Sequence, residues 1–246
     1  MVIRMSGIEN RGNTCFAAAV IQVLRYCKPV VRRHLESDDP VLHDFYDALY
    51  AGHSAEPFLK RLPALGYAAH EQHDAHEFFM TMVEKMFPTD NPFEGEITSI
   101  LECVDAHMSV SKYPCCSLLV HGDVQAGLTA FCTPEKVDAK CETCGLPVTK
   151  RMSVTTGDVM LVQLQRFSHD GQKLTHQVHI PPCITNVKPM HLCGVIHHMG
   201  SVDFGHYTAT VRTDDGWKAV SDDFVVDVEA PETSRSAYIL VYTCGE

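Results

Sequence analysis

A turn-rich stretch that ends in a cysteine and leads directly into a helical pattern is the feature that most constrains this chain. The stretch covers residues 7–16, and Cys15 stands near its end. Apolar residues then recur at helical spacing until Pro29 ends the pattern: Phe16, Val20, Val23, Leu24 and Cys27. Cys15 is therefore predicted to lie at a helix N-terminus, where free backbone N–H groups and the helix dipole favour a thiolate. That position suits a nucleophile, although a cysteine without further context is more often a small buried residue.

Residues 7–16 resemble the cysteine box of the ubiquitin-specific proteases, whose pattern is Gly-Leu-x-Asn-x-Gly-Asn-Thr-Cys-Tyr followed by a helix with Leu-Gln-x-Leu. The helical part is present here as Ile-Gln-Val-Leu, residues 21–24, with one aliphatic substitution. Ala18 and Ala19 depart from the Asn-Ser that usually follows the box. The resemblance implies that Cys15 is the nucleophile and that Asn10 donates to the tetrahedral oxyanion. The alternative for Asn10 is a plain turn residue.

A second motif supplies the histidine that a cysteine nucleophile needs. Gly205-His206-Tyr207 ends a loop signal at residues 200–205 and leads into a predicted strand, residues 207–211. It resembles the histidine box of the same family. The resemblance implies that His206 takes the thiol proton and later returns it to the leaving amine. Gly205 and Tyr207 are expected to contact the substrate.

The group that orients this histidine departs from the usual pattern. The family places Asn or Asp four residues after a tryptophan, within Trp-x-x-Phe-Asn/Asp-Asp. Four residues after Trp217 the chain has Ser221, and Asp222 then matches the second acid of the motif. Because a hydroxyl is a weaker partner for an imidazolium than a carboxylate, Asp222 is expected to supply the electrostatic stabilisation.

An acidic motif lies between the cysteine and histidine boxes. Asp74 and Glu77 stand three residues apart before an apolar run, which is an N-terminal capping signature and sufficient to explain both acids. The stretch also resembles the family motif Gln-x-Asp-Ala-x-Glu-Phe, whose acids hold the basic C-terminal tail of ubiquitin. Both roles are expected together, since a cap uses only part of the acceptor capacity of a carboxylate.

Four further residues are candidate ligands for a structural zinc ion. The resembling family ties the tip of an extended sheet, its fingers, with two Cys-x-x-Cys pairs. Cys141 and Cys144 form one intact pair, whereas Cys103 has Ala106 in its partner position. His107 is the proposed replacement, because thiolate and imidazole both suit tetrahedral zinc. A single Cys-x-x-Cys is a weak signal, and family members without zinc keep the alternative of no metal open.

Composition limits the remaining possibilities. The 246 residues carry a net charge of -11, which argues against nucleic acid or an anionic membrane as the main partner. The first five residues are too short and too interrupted for a secretion signal, and no apolar run is long enough to span a bilayer. Eleven cysteines without a signal are expected to be thiols or metal ligands rather than disulfides. These features predict an intracellular protein, and the resemblance to the ubiquitin-specific proteases implies a monomer that needs no cofactor for catalysis.

The resemblance implies an α+β fold, that of a papain-like cysteine protease, with a helical thumb (about residues 1–90), reduced fingers (about 91–157) and a β-sheet palm (about 158–246). Helices are predicted at residues 41–49 and 58–65 as well as after Cys15, and no long helix is expected beyond Asp90. Strands are predicted at residues 117–120, 159–167, 173–180, 207–211 and 237–242.

The predicted function is hydrolysis of the (iso)peptide bond after the C-terminal glycine of ubiquitin, with ubiquitin or ubiquitinated proteins as partners. A protease for another ubiquitin-like modifier is one alternative. A catalytically inactive ubiquitin-binding module is a second, motivated by Ser221, Ala18 and Ala19. A zinc-dependent interaction domain is a third and weaker reading.

Overall fold

A computed structural model of the chain describes residues 5–33, 35–50, 53–68, 70–168, 170–201 and 204–245. Most of the five residues tested for a secretion signal therefore lie outside the described part. Val202 and Asp203, in the predicted loop before His206, also lie outside it.

The first helix is the central element of the N-terminal half. Helix α1 covers Cys15–Tyr26, and all its residues except Tyr26 are buried. Further helices follow in the order α2 Lys28–Val31, α3 Pro40–Leu49, α4 Glu56–Leu59, α5 Ala75–Met86 and α6 Val124–Cys132. Asp39 caps α3 and Asp74 caps α5 through side-chain oxygens, and the cap at Asp74 is the one predicted from the sequence.

Two helix predictions are wrong in detail. The helix predicted at residues 58–65 is split into α4 and a 3-10 turn at Leu62–Leu65. Pro63 explains the break, because it has no N–H for an α-helical bond and its ring clashes with the carbonyl of the preceding turn. The sequence predicts no long helix beyond Asp90, and the short helix α6 of nine residues is missed there. It begins at an Asp123 cap and contains Gly127, a weak helix former that hides the pattern.

Fourteen strands are present among the described residues. In chain order β1–β14 they are Gly95–Cys103, Met108–Cys115, Ser117–Val120, Glu135–Lys140, Pro147–Thr155, Val159–Leu164, Val178–His179, Cys183–Ile184, Met190–Gly200, Gly205–Thr213, Gly216–Ser221, Phe224–Val228, Thr233–Ser234 and Ala237–Thr243.

One large sheet organises the C-terminal half. Its order is β12-β11-β10-β9-β14-β6-β3, with β8 pairing β9 outside this path. Strand β3 comes from the segment predicted as fingers and pairs in parallel with β6. Helix α1 packs against β9 and β10, with Val23 filling the space over Gly194. The buried helix therefore presents its N-terminal end beside the strands that carry the histidine box.

A smaller sheet of four strands, in the order β2-β1-β5-β4, accounts for most of the predicted fingers. Strand β1 pairs antiparallel with both β2 and β5, and Cys103 is opposite Val148. The β1–β2 turn and the β4–β5 turn consequently lie at the same end of this sheet.

The strand predicted at residues 173–180 is mostly wrong. Only Val178–His179 is a strand, and it pairs with Thr233–Ser234. Arg166 is 2% exposed, and its guanidinium donates hydrogen bonds to the carbonyls of Leu174 and His176 at 3.3 and 2.8 Å. Those carbonyls bind a buried side chain instead of a neighbouring strand, so the alternating pattern does not form a ladder.

Among the described residues, no helix has both the length and the apolar character that crossing a membrane requires.

Candidate active site

The nucleophile candidate lies where the sequence predicts. Cys15 is the first residue of α1 and its side chain is only 6% exposed. Burial raises the pKa of its thiol, the backbone N–H of Tyr207 lowers it, and the negative charge of Asp222 raises it. The contact with Tyr207 places Cys15 next to the histidine box, whose sequence position is far away.

The N-terminal loop is packed against the turn that follows β11. The backbone N–H of Ile8 donates to the carbonyl of Asp222 at 2.8 Å. A side chain at position 7 would overlap the backbone of Asp223, so only glycine permits this approach. This contact brings the loop with Asn10 over the residues that follow Trp217.

His206 is the second residue of β10, and Ser221 is the last residue of β11. Nε2 of His206 lies 2.9 Å from Oγ of Ser221. Within the described part of the chain, Nδ1 of His206 has no hydrogen-bond partner. Of the two ring nitrogens, the serine thus holds one and leaves the other open among the described residues.

Asp222 lies in the tight turn between β11 and β12 with a left-handed backbone, at φ 51°. Its Oδ2 lies 3.9 Å from Nε2 of His206 and accepts a hydrogen bond from Nδ2 of Asn10 at 3.2 Å. Its Oδ1 is buried and has no partner among the described residues. The carboxylate is therefore close enough to stabilise a positive imidazole electrostatically, but the direct hydrogen bond belongs to Ser221.

The amide of Asn10 is fixed at both ends. Oδ1 accepts from the backbone N–H and from Oγ1 of Thr14, each at 3.2 Å, and Nδ2 donates to Asp222. An amide nitrogen carries two hydrogens, so one donor remains beyond the bond to Asp222. This arrangement is compatible with an oriented donor beside the nucleophile.

Asp74 uses both carboxylate oxygens. Oδ1 accepts from the backbone N–H groups of His76 and Glu77 at 2.8 and 2.9 Å, which confirms the cap. Oδ2 accepts from the hydroxyls of Tyr238 at 2.7 Å and Tyr207 at 3.4 Å. Glu77 is exposed and has no ion pair or side-chain hydrogen bond among the described residues. The two acids therefore differ: Asp74 ties α5 to the large sheet, and Glu77 faces solvent.

Gln72 occupies the first position of the Gln-x-Asp-Ala-x-Glu-Phe motif, and the sequence alone assigns it no role. Its Oε1 accepts from the backbone N–H of Gly205 at 2.7 Å, and its Nε2 donates to the carbonyl of Gly205 at 3.0 Å. The residue before His206 is thereby joined to the segment that begins α5. The position of Gln72 two residues before a capping acid was the one sequence signal for this contact.

The four predicted zinc ligands come together at one end of the four-stranded sheet. The ligand atoms of Cys103, His107, Cys141 and Cys144 all lie within 4.8 Å of one another. Sγ of Cys103 lies 3.7 Å from Sγ of Cys144 and 3.6 Å from Nδ1 of His107. With zinc–sulfur bonds of about 2.3 Å, the edge of a tetrahedral site is roughly 3.8 Å. The donor set therefore fits a structural zinc ion, and His107 occupies the place that Ala106 leaves open.

Backbone geometry around Cys141 also favours a metal-binding thiolate. The N–H groups of Cys144 and Thr143 lower the pKa of Cys141 to about 6. Zinc binds the deprotonated form of cysteine, so these N–H groups reduce the proton competition at that ligand.

Comparisons with known proteins show which family the chain belongs to. A family model described as "Ubiquitin carboxyl-terminal hydrolase" matches residues 6–242. The chain is 24% identical over 290 residues to "Probable ubiquitin carboxyl-terminal hydrolase 8" of Schizosaccharomyces pombe, covering 97% of this chain and 64% of that protein. It is 26% identical over 295 residues to "Ubiquitin carboxyl-terminal hydrolase 17-like protein 11" of Homo sapiens, covering 96% and 55%. The chain thus spans less than two thirds of the length of these relatives.

Solved structures confirm the α+β fold predicted from the sequence. A chain of the SAGA DUB module Ubp8/Sgf11/Sus1/Sgf73 bound to monoubiquitin matches with a TM-score of 0.81 at 21% identity, covering 97% of this chain and 69% of that one. The same module bound to ubiquitin aldehyde matches with a TM-score of 0.80 at 20% identity, covering 97% and 69%. From residue 6 to residue 242, the chain belongs to the ubiquitin carboxyl-terminal hydrolase family.

Proposed function

We propose that this chain is a thiol-dependent hydrolase that cleaves the (iso)peptide bond after the C-terminal glycine of ubiquitin. The observation that carries the proposal is the meeting of three segments. Cys15 at the start of α1 contacts the backbone of Tyr207, and the neighbouring His206 is held by Ser221. A cysteine, an imidazole and an orienting group in that relation are the components of a cysteine protease.

In the proposed reaction, His206 takes the proton of Cys15 and the thiolate attacks the carbonyl carbon of the terminal glycine. The imidazolium then returns the proton to the leaving lysine amine, and water hydrolyses the thioester by the reverse sequence of proton transfers. Ser221 keeps the ring in place through Nε2, and Asp222 offsets the positive charge that forms on it. Asn10 donates its free amide hydrogen to the oxyanion, a contribution of several kcal/mol in acyl transfer.

Ubiquitin is the proposed substrate because two of the matched structures contain it or its aldehyde. The matched modules were solved with monoubiquitin and with ubiquitin aldehyde. Glu77 is an exposed acid three residues after the Asp74 cap, and we propose that it receives the basic tail of the substrate. We assign Gly205 and Tyr207, on either side of His206, to the walls of the channel for that tail.

Two further parts of the proposal concern the state of the protein. A zinc ion held by Cys103, His107, Cys141 and Cys144 ties the two turns at the end of the four-stranded sheet. All eleven cysteines are free in the described residues, which supports a reducing, intracellular compartment. Every proposed catalytic group comes from one chain, so a monomer suffices, and the net charge of -11 supports a protein partner rather than nucleic acid.

A ubiquitin with an electrophile at its C-terminus tests the assignment. The wild-type chain should form a covalent adduct at Cys15, and the Cys15→Ala variant should fold but form none. Reaction with a different ubiquitin-like modifier and not with ubiquitin would replace the substrate while keeping the chemistry. Binding of ubiquitin without any adduct or turnover would favour an inactive binding module.

A further inference from the structure

A lysine outside every sequence motif holds the hairpin that carries His206. Nζ of Lys173 lies 3.0 Å from Nδ1 of His198, 2.9 Å from the carbonyl oxygen of His198 and 2.8 Å from that of Gly200. An ammonium group has three hydrogens, so all of its donors are directed to the last part of β9. In the β9–β10 hairpin, His198 pairs with Tyr207 and Gly200 with Gly205. Lys173 therefore binds the two residues of β9 that lie opposite the neighbours of His206.

His198 in turn contacts two residues of the histidine box, Tyr207 and Gly205. His198 is 4% exposed, and the centre of its ring lies 4.6 Å from the centre of the Tyr207 ring. A side chain on Gly205 would overlap Nε2 of His198, so the backbone of Gly205 lies directly on the imidazole. The ring thus supports both residues that flank His206.

The contact between Lys173 and His198 requires a neutral imidazole. Burial and the positive charge of Lys173 lower the pKa of His198, Asp74 opposes them, and the resulting pKa is about 4. Nδ1 of His198 consequently accepts a hydrogen bond from Lys173 at neutral pH. Arg166 is a second positive charge near Lys173, and its guanidinium is occupied by backbone carbonyls.

Gly205 is also held from the opposite side. Gln72 bonds both its N–H and its carbonyl, so this backbone is fixed between Gln72 and His198. Movement of the hairpin end would carry His206 with it. A displacement of about 1 Å of a catalytic group can cost roughly 100-fold in rate.

We propose that Lys173 is a positioning residue for His206, acting through His198 and the backbone of Gly200 and Gly205. The inference rests on the proposed function, because it takes His206 as the base for Cys15. It assigns a role in the reaction to a residue whose side-chain hydrogen bonds are all with the hairpin and not with the nucleophile.

The test compares Lys173→Met with Lys28→Met, which removes the same charge from an exposed lysine at the start of α2. Lys28 is 57% exposed and pairs with Asp214 at 3.5 Å. Turnover of a fluorogenic ubiquitin substrate gives kcat and KM, and thermal unfolding reports the fold. Alkylation of Cys15 by a small haloacetamide across a range of pH reports the thiolate without any ubiquitin. Trypsin releases residues 12–25 as a peptide in which Cys15 is the single cysteine, so mass spectrometry follows this thiol alone.

With Lys173→Met we expect kcat to fall about tenfold or more while KM stays within about twofold. The midpoint of the alkylation profile should rise by about one pH unit, because a displaced imidazolium no longer stabilises the thiolate. Lys28→Met should leave both measurements unchanged. His198→Phe keeps a ring beneath Gly205 but removes the acceptor for Lys173, so it should shift the profile in the same direction by a smaller amount.

A folded Lys173→Met variant with unchanged kcat and an unchanged alkylation profile would overturn the inference and leave Lys173 a packing role. If Lys173→Met does not fold, His198→Phe decides alone, and an unshifted profile in that variant overturns the inference equally. If the wild type does not process ubiquitin but the Cys15 profile shifts in Lys173→Met, the substrate assignment fails and the positioning role stands.

Discussion

Asn10 donates its side-chain amide to the carboxylate of Asp222, with Nδ2 3.2 Å from Oδ2, across 212 positions of sequence. The same oxygen lies 3.9 Å from Nε2 of His206. Asp222 thus contacts the proposed oxyanion donor directly and faces the proposed base across a short gap. Ser221, by contrast, lies 2.9 Å from the imidazole of His206 and makes no hydrogen bond to Asn10 in the described structure.

This difference predicts that Asp222→Ala lowers the catalytic constant more than Ser221→Ala. Loss of a neutral hydrogen bond to the ring costs about 0.5–1.5 kcal/mol, which is roughly tenfold or less in rate. Loss of Asp222 removes a full charge near the imidazolium and the partner that orients Asn10. Single-turnover rates on a fluorogenic ubiquitin substrate rank the two, and Asp222→Asn separates charge from shape. A dead Ser221→Ala beside a nearly normal Asp222→Ala would make the serine the main third group.

Asn10→Ala should lower kcat by roughly 10²–10³-fold with little change in KM, as expected for a donor used only in the transition state. Because Asn10 and Asp222 are in contact, the double variant should lose less than the sum of the two single losses in activation free energy. Alkylation of Cys15 by a haloacetamide, which forms no oxyanion, serves as the control. Equal losses in alkylation and in ubiquitin turnover would mean that Asn10 supports the nucleophile and not the oxyanion.

Local signals were sufficient for the positions of Cys15, the Asp74 cap and the strand that carries His206. About ten residues of sequence are enough to encode a helix start, a capping acid or a loop before a strand. The structure has all three. The order of motifs along the chain then implied the fold, which the solved structures confirm.

The contacts that assemble the site were not predictable, because each joins segments that are far apart in sequence. Gln72 and Gly205 are separated by 133 positions, and neither residue type indicates that the glutamine side chain will bind the glycine backbone. Position 7 needs glycine because the backbone of Asp223 approaches it, which no local pattern records. Lys173 fell within a misassigned strand, where its three bonds to the hairpin could not be inferred.

Replacing Asp74 and replacing Glu77 should have different effects on stability and on substrate binding. Asp74→Ala removes a helix cap and the acceptor for two tyrosine hydroxyls, so the free energy of unfolding should fall by roughly 2–4 kcal/mol. Glu77→Gln changes an exposed side chain, and its effect on stability should stay within about 0.5 kcal/mol. Glu77→Gln should nevertheless raise the KM for ubiquitin several-fold at low ionic strength. Denaturant unfolding and steady-state kinetics on both variants make the comparison, and an unchanged KM for Glu77→Gln would leave this acid without a binding role.

The cluster at the end of the four-stranded sheet should bind close to one zinc ion per chain. Elemental analysis after purification without chelator measures it, and Cys141→Ser should remove most of the metal and lower the melting temperature. Cys132→Ser, at the end of α6 and outside the cluster, is the matched control and should keep the metal. Less than about a tenth of an equivalent in the wild type would be hard to reconcile with the tetrahedral donor set.

Two adjacent histidines should make the fold sensitive to mild acid. Burial lowers the pKa of His197 to about 4, with a smaller effect of Arg166, and the pKa of His198 is also lowered to about 4. His197 is neutral in the folded state, with Nε2 2.9 Å from Oγ1 of Thr210. In the unfolded chain a histidine titrates near its ordinary pKa of about 6.5. The unfolded state therefore binds more protons below that pH, and the stabilisation, complete above it, is lost as the pH falls toward 4.

At pH 5, a shift of this size corresponds to roughly 2 kcal/mol lost per histidine relative to pH 7.5. Urea unfolding at the two pH values should show that His197→Gln, which cannot be protonated, loses about that much less than the wild type. His53→Gln replaces a histidine whose side chain is 58% exposed, so it should follow the wild-type curve. The measured quantity is the difference between variants, because carboxylates that also titrate near pH 4 contribute equally to all three proteins. Parallel curves for the wild type and His197→Gln would show that this imidazole accepts a proton in the folded state as readily as in the unfolded chain.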